Sequence, residues 1–475
     1  MSLFGTLDLG QRALQAQRQG VEVTGHNLAN VNNRAYTRQR VQIQTAPAIE
    51  TSLGAIGTGA NAAAIRQIRD VLIDRQIESE GSIGGYWEAQ QRALQYAQAN
   101  LGQLIDRQAT GPEGSAAANG IGGQQGIAEG LQDLFNAFQG LSTNPTSLSE
   151  RQVLLQKAAT LATKFNQTGE RLTELNASLN ASVQEETAKA NELLSAIARL
   201  NDQIANSELR SGGMANDLRD LRQEKVEELS RLVKFELAND PSGAIDLSVG
   251  GVTLVEGGSL VDSIEAYDAG GGRFLIRAKS AGTELTVAGG SISGTIAARD
   301  GALAVLKSDL DNLAGLLIRE VNQVHTAGFS LTGSTGADFF SGTDATSLRV
   351  SAALQGNPAL IQASGTKDAV GDNQIALALA QLSEKKHATL NGQTFHQDYA
   401  RTVSALGSAL AQANNELSDQ NAVERMLKSQ RDSVSGVSLD EEMTLLVKYQ
   451  QAFEASARLI TTVNELIETV VNLKR

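Results

Sequence analysis

The sequence predicts a mainly α-helical protein with a small β insertion, built as a nested, elongated rod of several domains. Three patterns lead to this prediction. A seven-residue apolar repeat opens the chain, a similar helical pattern closes it, and a sustained period of two appears at 235–300. Because amphipathic helices at the two ends can bury their apolar stripes against each other, we expect the termini to pair as a coiled coil.

The N-terminal helix is predicted over the first thirty or so residues. Two interleaved series have the spacing of a coiled-coil seam: Leu7, Leu14, Val21 and Leu28 in one, and Leu3, Gly10, Gln17, Thr24 and Val31 in the other. Several members of the second series are small or polar. An isolated helix of this sequence is therefore expected to be marginal in water.

An extended segment follows this helix, and long helices come after it. Residues 36–70 alternate around the turn GAIGTGA, which predicts a hairpin. Ser147 and Glu150 form a capping box that opens a very long helix. A loop rich in Gly, Ala and Asn is predicted at 110–126. The helical spacing covers residues 70–108, 127–140, 147–207 and 216–234.

The middle of the chain changes to a strand pattern. At 235–300 apolar and polar residues alternate between glycine-rich turns, which predicts a small β module. Residues 328–372 have a mixed pattern of loops and short elements. Helical spacing returns at 301–326, 373–384 and 395–433.

The C-terminal helix is predicted from a capping box at Ser438 and Glu441 and from the absence of Gly and Pro at 439–473. Its apolar positions are separated mostly by three or four residues: Leu439, Met443, Leu446, Tyr449, Phe453, Ile460, Val463, Ile467 and Val470. Residues 1–45 carry five arginines against two acids, and residues 436–475 carry four basic residues against six acids. Pairing of the two terminal helices is therefore electrostatically allowed, although the apolar seams must supply most of the association.

A nested domain order follows from these elements. Residues 1–35 plus 436–475 form a terminal coiled-coil domain, and residues 36–234 plus 301–435 form a mainly helical middle domain. Residues 235–300 form a β-rich outer domain, which we expect at the opposite end from the termini. An ordinary intramolecular helix pair would explain the terminal seams. Their position at both chain ends and their marginal stability favour helices that settle only against neighbouring subunits.

Composition excludes several classes of protein. The chain has 475 residues, a net charge of −13 and no cysteine. The charge argues against a nucleic acid or an anionic membrane as the main partner, and the missing cysteine excludes disulfides and thiolate chemistry. We expect neither a cleaved signal peptide nor a membrane span.

No catalytic, cofactor or metal site stands out in the sequence. The four histidines, His26, His325, His387 and His396, are isolated from other ligand types. The acidic run from Asp440 to Glu442 is best explained as helix N-terminal acids that complement the macrodipole. We therefore expect a protein that is not an enzyme and that has no cofactor.

Motifs at both ends resemble one known family. NLANVNNRAYTRQR carries Asn27, Asn30, Tyr36 and Arg38 in the pattern of bacterial flagellar axial proteins, the rod, hook and hook-associated proteins. One departure is Ala35, where many relatives have glycine. The C-terminal SGVSLDEEM stretch resembles the matching family tail through Gly436, Asp440 and Glu441, among other residues.

Interior stretches narrow the resemblance. LNDQIANSE, DLRDLRQEKVEELSRLVKFEL, HTAGF with GADFF, and TFHQDYARTVSALG are similar to the hook-associated protein 1 family. The resemblance implies a structural protein of the extracellular flagellum at the hook–filament junction. It also implies flagellar type III export with a cytosolic chaperone on the C-terminal helix, self-assembly into a ring, hook protein below and a second junction protein above. The apolar residues named above on the terminal helices, apart from Val31 and the small and polar members of the second series, would then form the subunit interface.

Three alternatives stay open, and one of them, a glycan-active enzyme, would be supported only by a pair of carboxylates that the sequence spacing does not reveal. Another axial protein of the hook or rod type would share the terminal motifs, although the predicted long helices at 147–234 argue against a hook protein. A type III secreted translocator or effector with coiled-coil segments would need a long apolar hairpin or a catalytic set, and neither is found in the sequence.

Overall fold

The computed structural model describes residues 3–33, 35–51, 54–101, 126–240 and 243–473. The helices in these ranges are α1 (Leu3–Ala29), α2 (Val71–Asn100), α3 (Ile127–Thr143), α4 (Leu148–Ser211), α5 (Asn216–Leu232), α6 (Gly290–Ala298), α7 (Ala304–His325), α8 (Ala352–Gly356), α9 (Gln374–Gln381), α10 (Phe395–Ser435) and α11 (Leu439–Asn472). The strands are β1 (Gln39–Thr45), β2 (Ile49–Thr51), β3 (Gly54–Ile56), β4 (Ala60–Gln67), β5 (Glu236–Asn239), β6 (Ile245–Val249), β7 (Val252–Glu256), β8 (Ser259–Leu260), β9 (Ile264–Asp268), β10 (Phe274–Ala278), β11 (Phe340–Ser341) and β12 (Arg349–Val350).

The structure confirms the mainly α fold class with small sheets. Side-chain caps mark the predicted helix starts: Ser147 Oγ accepts the Glu150 amide at 3.2 Å, and Ser438 Oγ accepts the Glu441 amide at 3.5 Å. A capping box that the sequence analysis did not identify, Thr394 with Gln397, starts α10. The predicted helical residues 102–108 and most of the predicted loop at 110–126 lie outside the described residues.

The predicted hairpin at 36–70 is confirmed as an antiparallel ladder of β1 and β4, with β2 and β3 paired at its end. Gln39 pairs with Gln67, and the register shifts by one residue between Gln42 and Ile43. The hairpin packs along α1. Gly59, in the turn before β4, lies close to Leu9 of α1: a Cβ atom added at Gly59 would be 3.7 Å from the Leu9 Cα.

One helix, α4, organises the body. Its 64 residues span about 96 Å at 1.5 Å per residue. The first half of α4 packs with α3, α7, α9 and the first part of α10 in the largest apolar core. This core contains the buried aromatic rings of Phe138, Phe165, Phe339 and Phe340. No helix in the described ranges combines the length and apolar character that a membrane crossing requires.

The β strands share a second core with the other half of α4. Strands β5 to β8 form a four-stranded antiparallel sheet, and β9 and β10 form a separate pair. Their buried side chains pack with those of α4 between residues 183 and 198, and with α5 and α6. Buried Asn201 anchors the four-stranded sheet to α4, because its Nδ2 donates to the carbonyls of Ile245 at 2.8 Å and Gly257 at 2.7 Å.

The position of the strands along the rod differs from the expected one. We expected the β module at the end opposite the termini, but that end is formed by the largest helical core. The reason is the length of α4, which runs back to the level of the terminal helices before α5 and the strands begin. The strands therefore lie beside the second half of α4. The division into three domains stays a prediction, because the strands share their core with helices assigned to the middle domain.

Candidate functional site

The two terminal helices pack antiparallel along each other. Gly10 faces Ile460, and Gly20 faces the ring of Tyr449. The helices are so close at these points that a Cβ atom added at Gly10 would lie 2.9 Å from Ile460, and one added at Gly20 would lie 2.6 Å from the Tyr449 ring. At the other end of α1, Asn27 Nδ2 donates to Glu442 Oε2 at 2.9 Å. The paired positions keep a constant register, so the expected pairing of the chain ends is present. Its coiled-coil geometry stays a prediction.

The face of α1 that meets α11 consists of small and polar residues. Gly10, Gly20, Thr24 and Asn27 are all buried. The predicted leucine series sits one heptad position away, next to this seam rather than in it. Its members are all only half-buried in the chain: Leu7, Leu14, Val21 and Leu28. These four residues form the large apolar ridge of α1, which α11 thus leaves partly uncovered.

The other predicted interface residues divide by their exposure. Val463 is buried. Those that are half-buried are Leu3 of α1 and, on α11, Leu446, Tyr449, Phe453, Ile460 and Ile467. Three are exposed in the single chain: Leu439 at 53%, Met443 at 50% and Val470 at 54%. Further exposed apolar side chains on these helices are Phe4, Val447, Leu459, Leu466, Val471 and Leu473.

A polar joint, defined here by Asn27, residues 36–39, Glu442 and the network of side chains bonded to them, connects the terminal helices to the body. Asn27 is 1% exposed and lies at its centre. Its Nδ2 donates to the Gln39 carbonyl at 2.9 Å as well as to Glu442, and its Oδ1 accepts from the Gln39 amide at 3.0 Å. The Tyr36 hydroxyl donates to the same Oδ1 at 2.8 Å. One asparagine therefore joins α1, the hairpin and α11.

Arg38 completes the link to α11. Its Nε donates to Glu442 Oε1 at 2.7 Å, and its Nη1 donates to Glu441 Oε2 at 2.6 Å. The Glu442 side chain is 1% exposed and the Glu441 side chain is 63% exposed, so only the first contact is a buried ion pair. The Arg38 amide also donates to the Ser435 carbonyl at 2.9 Å, which ties the hairpin to the end of α10.

The opposite side of the same extended segment binds α5. Thr37 donates through its amide and its hydroxyl to Asp220, at 3.0 and 2.7 Å. Gln39 Nε2 donates to Asp217 Oδ1 at 2.9 Å. Successive side chains of an extended chain point to opposite sides, so Thr37 and Gln39 face α5 while Arg38 faces α11. The hairpin base is therefore held between the body and the terminal pair.

Burial changes the titration of two groups at this joint. It raises the pKa of the Tyr36 hydroxyl, with the charges of Asp217, Asp220 and Glu442 acting in the same direction. The phenol therefore stays a hydrogen-bond donor to Asn27. Burial also raises the pKa of Asp220, against the hydrogen bonds from Thr37 that lower it.

The remaining motif residues close the ends of the elements that meet here. Asn30 Nδ2 donates to the His26 carbonyl at 3.0 Å and so satisfies the last turn of α1. A side chain at Gly436, between α10 and α11, would collide with the Asp432 carbonyl. Asp440 is exposed in the first turn of α11, where a negative charge complements the helix dipole. The structure thus brings the motif residues of both chain ends to one joint.

Sequence reasoning missed the partners from the body. Asp217 and Asp220 of α5, and Gln67 and Arg69 at the end of the hairpin, contribute side chains to the joint. Gln67 Nε2 donates to Asp220 Oδ1 at 2.7 Å. The available signal was the pair of acids three residues apart at the start of a predicted helix, but nothing in the sequence relates them to residue 37.

The histidines are dispersed in the structure. His325 is buried, its Nε2 accepts the Gln362 amide at 2.9 Å, and burial lowers its pKa to about 4. His26 is exposed and its ring meets that of Tyr36 edge to face. Among the described residues, no group of three His, Asp or Glu side chains is arranged to hold a metal ion. The joint is an arrangement for holding elements in position, since its charged groups are bonded to one another.

Two family models of flagellar proteins match parts of this chain. Residues 120–340 match the family model of the flagellar hook-associated protein FlgK helical domain, and residues 428–473 match that of the flagellar basal body rod FlgEFG protein C-terminal region. Flagellar hook-associated protein 1 of Bacillus subtilis is 29% identical, over 99% of this chain and 98% of the relative. The protein of the same name from Salmonella typhimurium is 24% identical, over 97% of this chain and 98% of the relative.

A solved structure has the same fold. The flagellar hook junction protein FlgK from Burkholderia pseudomallei superimposes with a TM-score of 0.65 at 16% identity. The match covers 76% of this chain and 100% of the solved chain.

Proposed function

Because this chain belongs to the family of flagellar hook-associated protein 1, we propose that it is a structural junction protein that joins the hook to the filament of the bacterial flagellum. It assembles as a ring through α1 and α11, with hook protein below and a second junction protein above. The observation that carries this proposal is the uncovered apolar surface of the terminal helices, beside a polar joint whose groups are bonded within one chain.

The α1–α11 seam supports assembly because, of the predicted interface residues of the two helices, only Val463 is buried in the single chain. Glycines and polar residues allow the helices to approach closely, but they contribute little of the 1.5–3 kcal/mol or so that burying a leucine-sized side chain supplies. The leucine series of α1 and the exposed apolar residues of α11 are the surfaces that gain most from a neighbour. Neighbouring copies that cover them would supply the remaining stability of the terminal helices.

Export is part of the same proposal. The chain leaves the cell unfolded through the flagellar type III apparatus, and a cytosolic chaperone covers α11 beforehand. The apolar positions Leu459, Leu466 and Val470 are exposed on the C-terminal half of α11, and they offer such a chaperone a continuous stretch of contacts. The middle helices form a layer around the inner tube of terminal helices, and the protein adapts the flexible hook to the stiff filament.

Leu14→Asp tests the assembly surface. Leu14 is half-buried in the ridge beside the α1–α11 seam, so the change should leave the body folded and abolish incorporation into flagella. Gln11→Asp, on an exposed position of the same helix, is the matched control and should assemble normally. The measurements are the thermal melt of the purified chain, the amount of chain in isolated flagella, and swimming rate. Normal incorporation of the Leu14 variant would refute the interface assignment.

A further inference from the structure

A small cavity lies between α2 and the chain that leads from the end of α5 into β5. Its volume is about 310 Å³, which is at the lower end of the range for ligand sites in proteins. Its polar lining includes Arg75, Glu78 and Ser82 of α2, together with Lys234 and Glu236 beyond α5. A space of this size and polarity suits a small ion.

Ser82 is a side chain of this cavity whose hydrogen bonding is incomplete. It is 3% exposed, and its Oγ has no hydrogen-bond partner among the described residues. Other buried hydroxyls on the long helices are satisfied within their own helix, since Thr168 and Thr187 each donate to the carbonyl four residues earlier. The Ser82 hydroxyl instead lies against Gly289, where an added Cβ atom would collide with it. Because an unpaired buried hydroxyl is costly, its position indicates a partner that the chain itself does not supply.

The residue that Ser82 meets is the N-cap of a helix. Gly289 precedes α6, which has nine residues, and it offers no side chain to bind the amides of the first turn. Glu186 of α4 reaches the first turn, but its carboxylate accepts from the Ser291 hydroxyl at 2.8 Å and does not cap the helix. The positive end of the α6 dipole therefore lies beside the unpaired hydroxyl and favours an anion there.

Two cations of the cavity have no acid to neutralise them. Arg75 and Lys234 are exposed, and neither forms an ion pair within the described part of the chain. Lys234 also stands next to the start of α6, because a Cβ atom added at Gly289 would lie 3.4 Å from its Cβ. Glu236 is an exposed acid of the lining, whereas burial raises the pKa of Glu78 to about 7 and leaves its carboxyl partly neutral near that pH. The balance of charge around the cavity is therefore positive.

We propose that this cavity binds a small tetrahedral oxyanion of the phosphate class. The Ser82 hydroxyl donates to the ion, Arg75 and Lys234 balance its charge, and the start of α6 supplies a favourable dipole. This site is additional to the proposed function and does not depend on it.

A bound ion would connect three elements that otherwise meet backbone to backbone. A Cβ atom added at Gly85 of α2 would collide with the Arg231 carbonyl, and one added at Gly290 of α6 would collide with the Leu232 carbonyl. Glycines allow α2, the end of α5 and α6 to approach this closely, but they contribute no side-chain contacts of their own. An ion that binds only the folded arrangement would therefore stabilise this part of the body.

Phosphate binding to the free chain tests the proposal. Titration with inorganic phosphate, at an ionic strength held constant with chloride, should slow amide exchange at 233–237 and in the first turn of α6 in a saturable way. Lys234→Gln should weaken this binding by about tenfold, because it removes a charge-assisted contact. Lys386→Gln is the matched control, since Lys386 is an exposed lysine between α9 and α10, and it should leave the binding within about twofold.

Ser82→Ala distinguishes a ligand-binding hydroxyl from a structural one. Because Ser82 Oγ has no partner in the described chain, the thermal melt without phosphate should stay unchanged, whereas phosphate binding should weaken by about fivefold or more. The site would be overturned by the absence of saturable binding, by equal losses in the two lysine variants, or by a Ser82 variant that melts lower or binds phosphate normally. All of these measurements use the free chain, so their failure leaves the proposed function standing.

Discussion

The change Glu442→Gln tests whether the polar joint holds the terminal helices on the body. The buried Glu442 carboxylate accepts from Asn27 Nδ2 at 2.9 Å and from Arg38 Nε at 2.7 Å. Glutamine keeps the shape but offers one oxygen, so its amide nitrogen faces one of the two donors. Removing one partner of a buried ion pair costs about 3–5 kcal/mol. Because Arg38 keeps its bond to Glu441, we expect the lower end, about 3 kcal/mol.

Amide hydrogen exchange of the free chain measures this loss. A change of about 3 kcal/mol in the free energy of opening corresponds to a roughly 150-fold faster exchange. It should appear in the last turns of α1 and the first turns of α11, which meet at Asn27 and Glu442. The central turns of α4, in the same sample, should keep their exchange rates because no bond of the joint reaches them.

Glu441→Gln is the matched control. It is the adjacent residue, it binds the same guanidinium at 2.6 Å, and its side chain is 63% exposed. An exposed ion pair contributes only about 0–1 kcal/mol, which is at most about fivefold in exchange. If the two variants changed exchange at the joint by the same factor, burial of the Glu442 contact would not be what holds the joint, and the reasoning would be refuted.

Three further predictions follow from the same structure. Gly20→Ala should weaken the α1–α11 pair by about 1–3 kcal/mol relative to Gly25→Ala, because its new carbon meets the Tyr449 ring at 2.6 Å whereas Gly25 has open space; equal thermal melts of the two variants would contradict this. Burial raises the pKa of Glu78 to about 7, above its unfolded value, so the stability contributed by its neutral form is lost as the pH rises from about 4.5 to 7. Glu78→Gln should therefore add roughly 2–3 kcal/mol more to the unfolding free energy at about pH 8 than at about pH 5, and a constant difference in urea titrations would count against it. Residues 463–473 should be cut rapidly by protease in the free chain and be protected in isolated hook–filament junctions; equal protection in both would argue against ordering by neighbours.

Much of the helical architecture could be predicted because its signals are local. The capping serines Ser147 and Ser438 and the long apolar periodicities set the helices within a few residues. The hairpin and the strands at 236–278 were also identified from their period of two, but the prediction was wrong for residues 290–298, which form helix α6. These patterns depend on neighbours along the chain, which the sequence displays directly.

The seam of the terminal pair could be predicted only in part. A leucine every seven residues shows that α1 has an apolar stripe, but not which partner covers it. Gly10 belongs to the second predicted series, but Gly20 and Asn27, which also meet α11, belong to neither series, because small and polar residues leave no apolar periodicity to detect. The partner of Thr37 at the joint, Asp220, is 183 residues away in sequence. Such contacts depend on the packed fold rather than on local pattern.

The length of α4 explains why the joint is polar. At about 96 Å, this helix acts as a lever between the joint and the far end of the body. A rotation of about 5° at the joint would displace the far end by roughly 8 Å over that length. Apolar contacts are non-directional and tolerate such a rotation, whereas the bonds of Asn27 and Arg38 lose their geometry. Directional hydrogen bonds at the joint therefore fix the angle of the body, and the apolar ridges that stay uncovered beside them are free to bind neighbours.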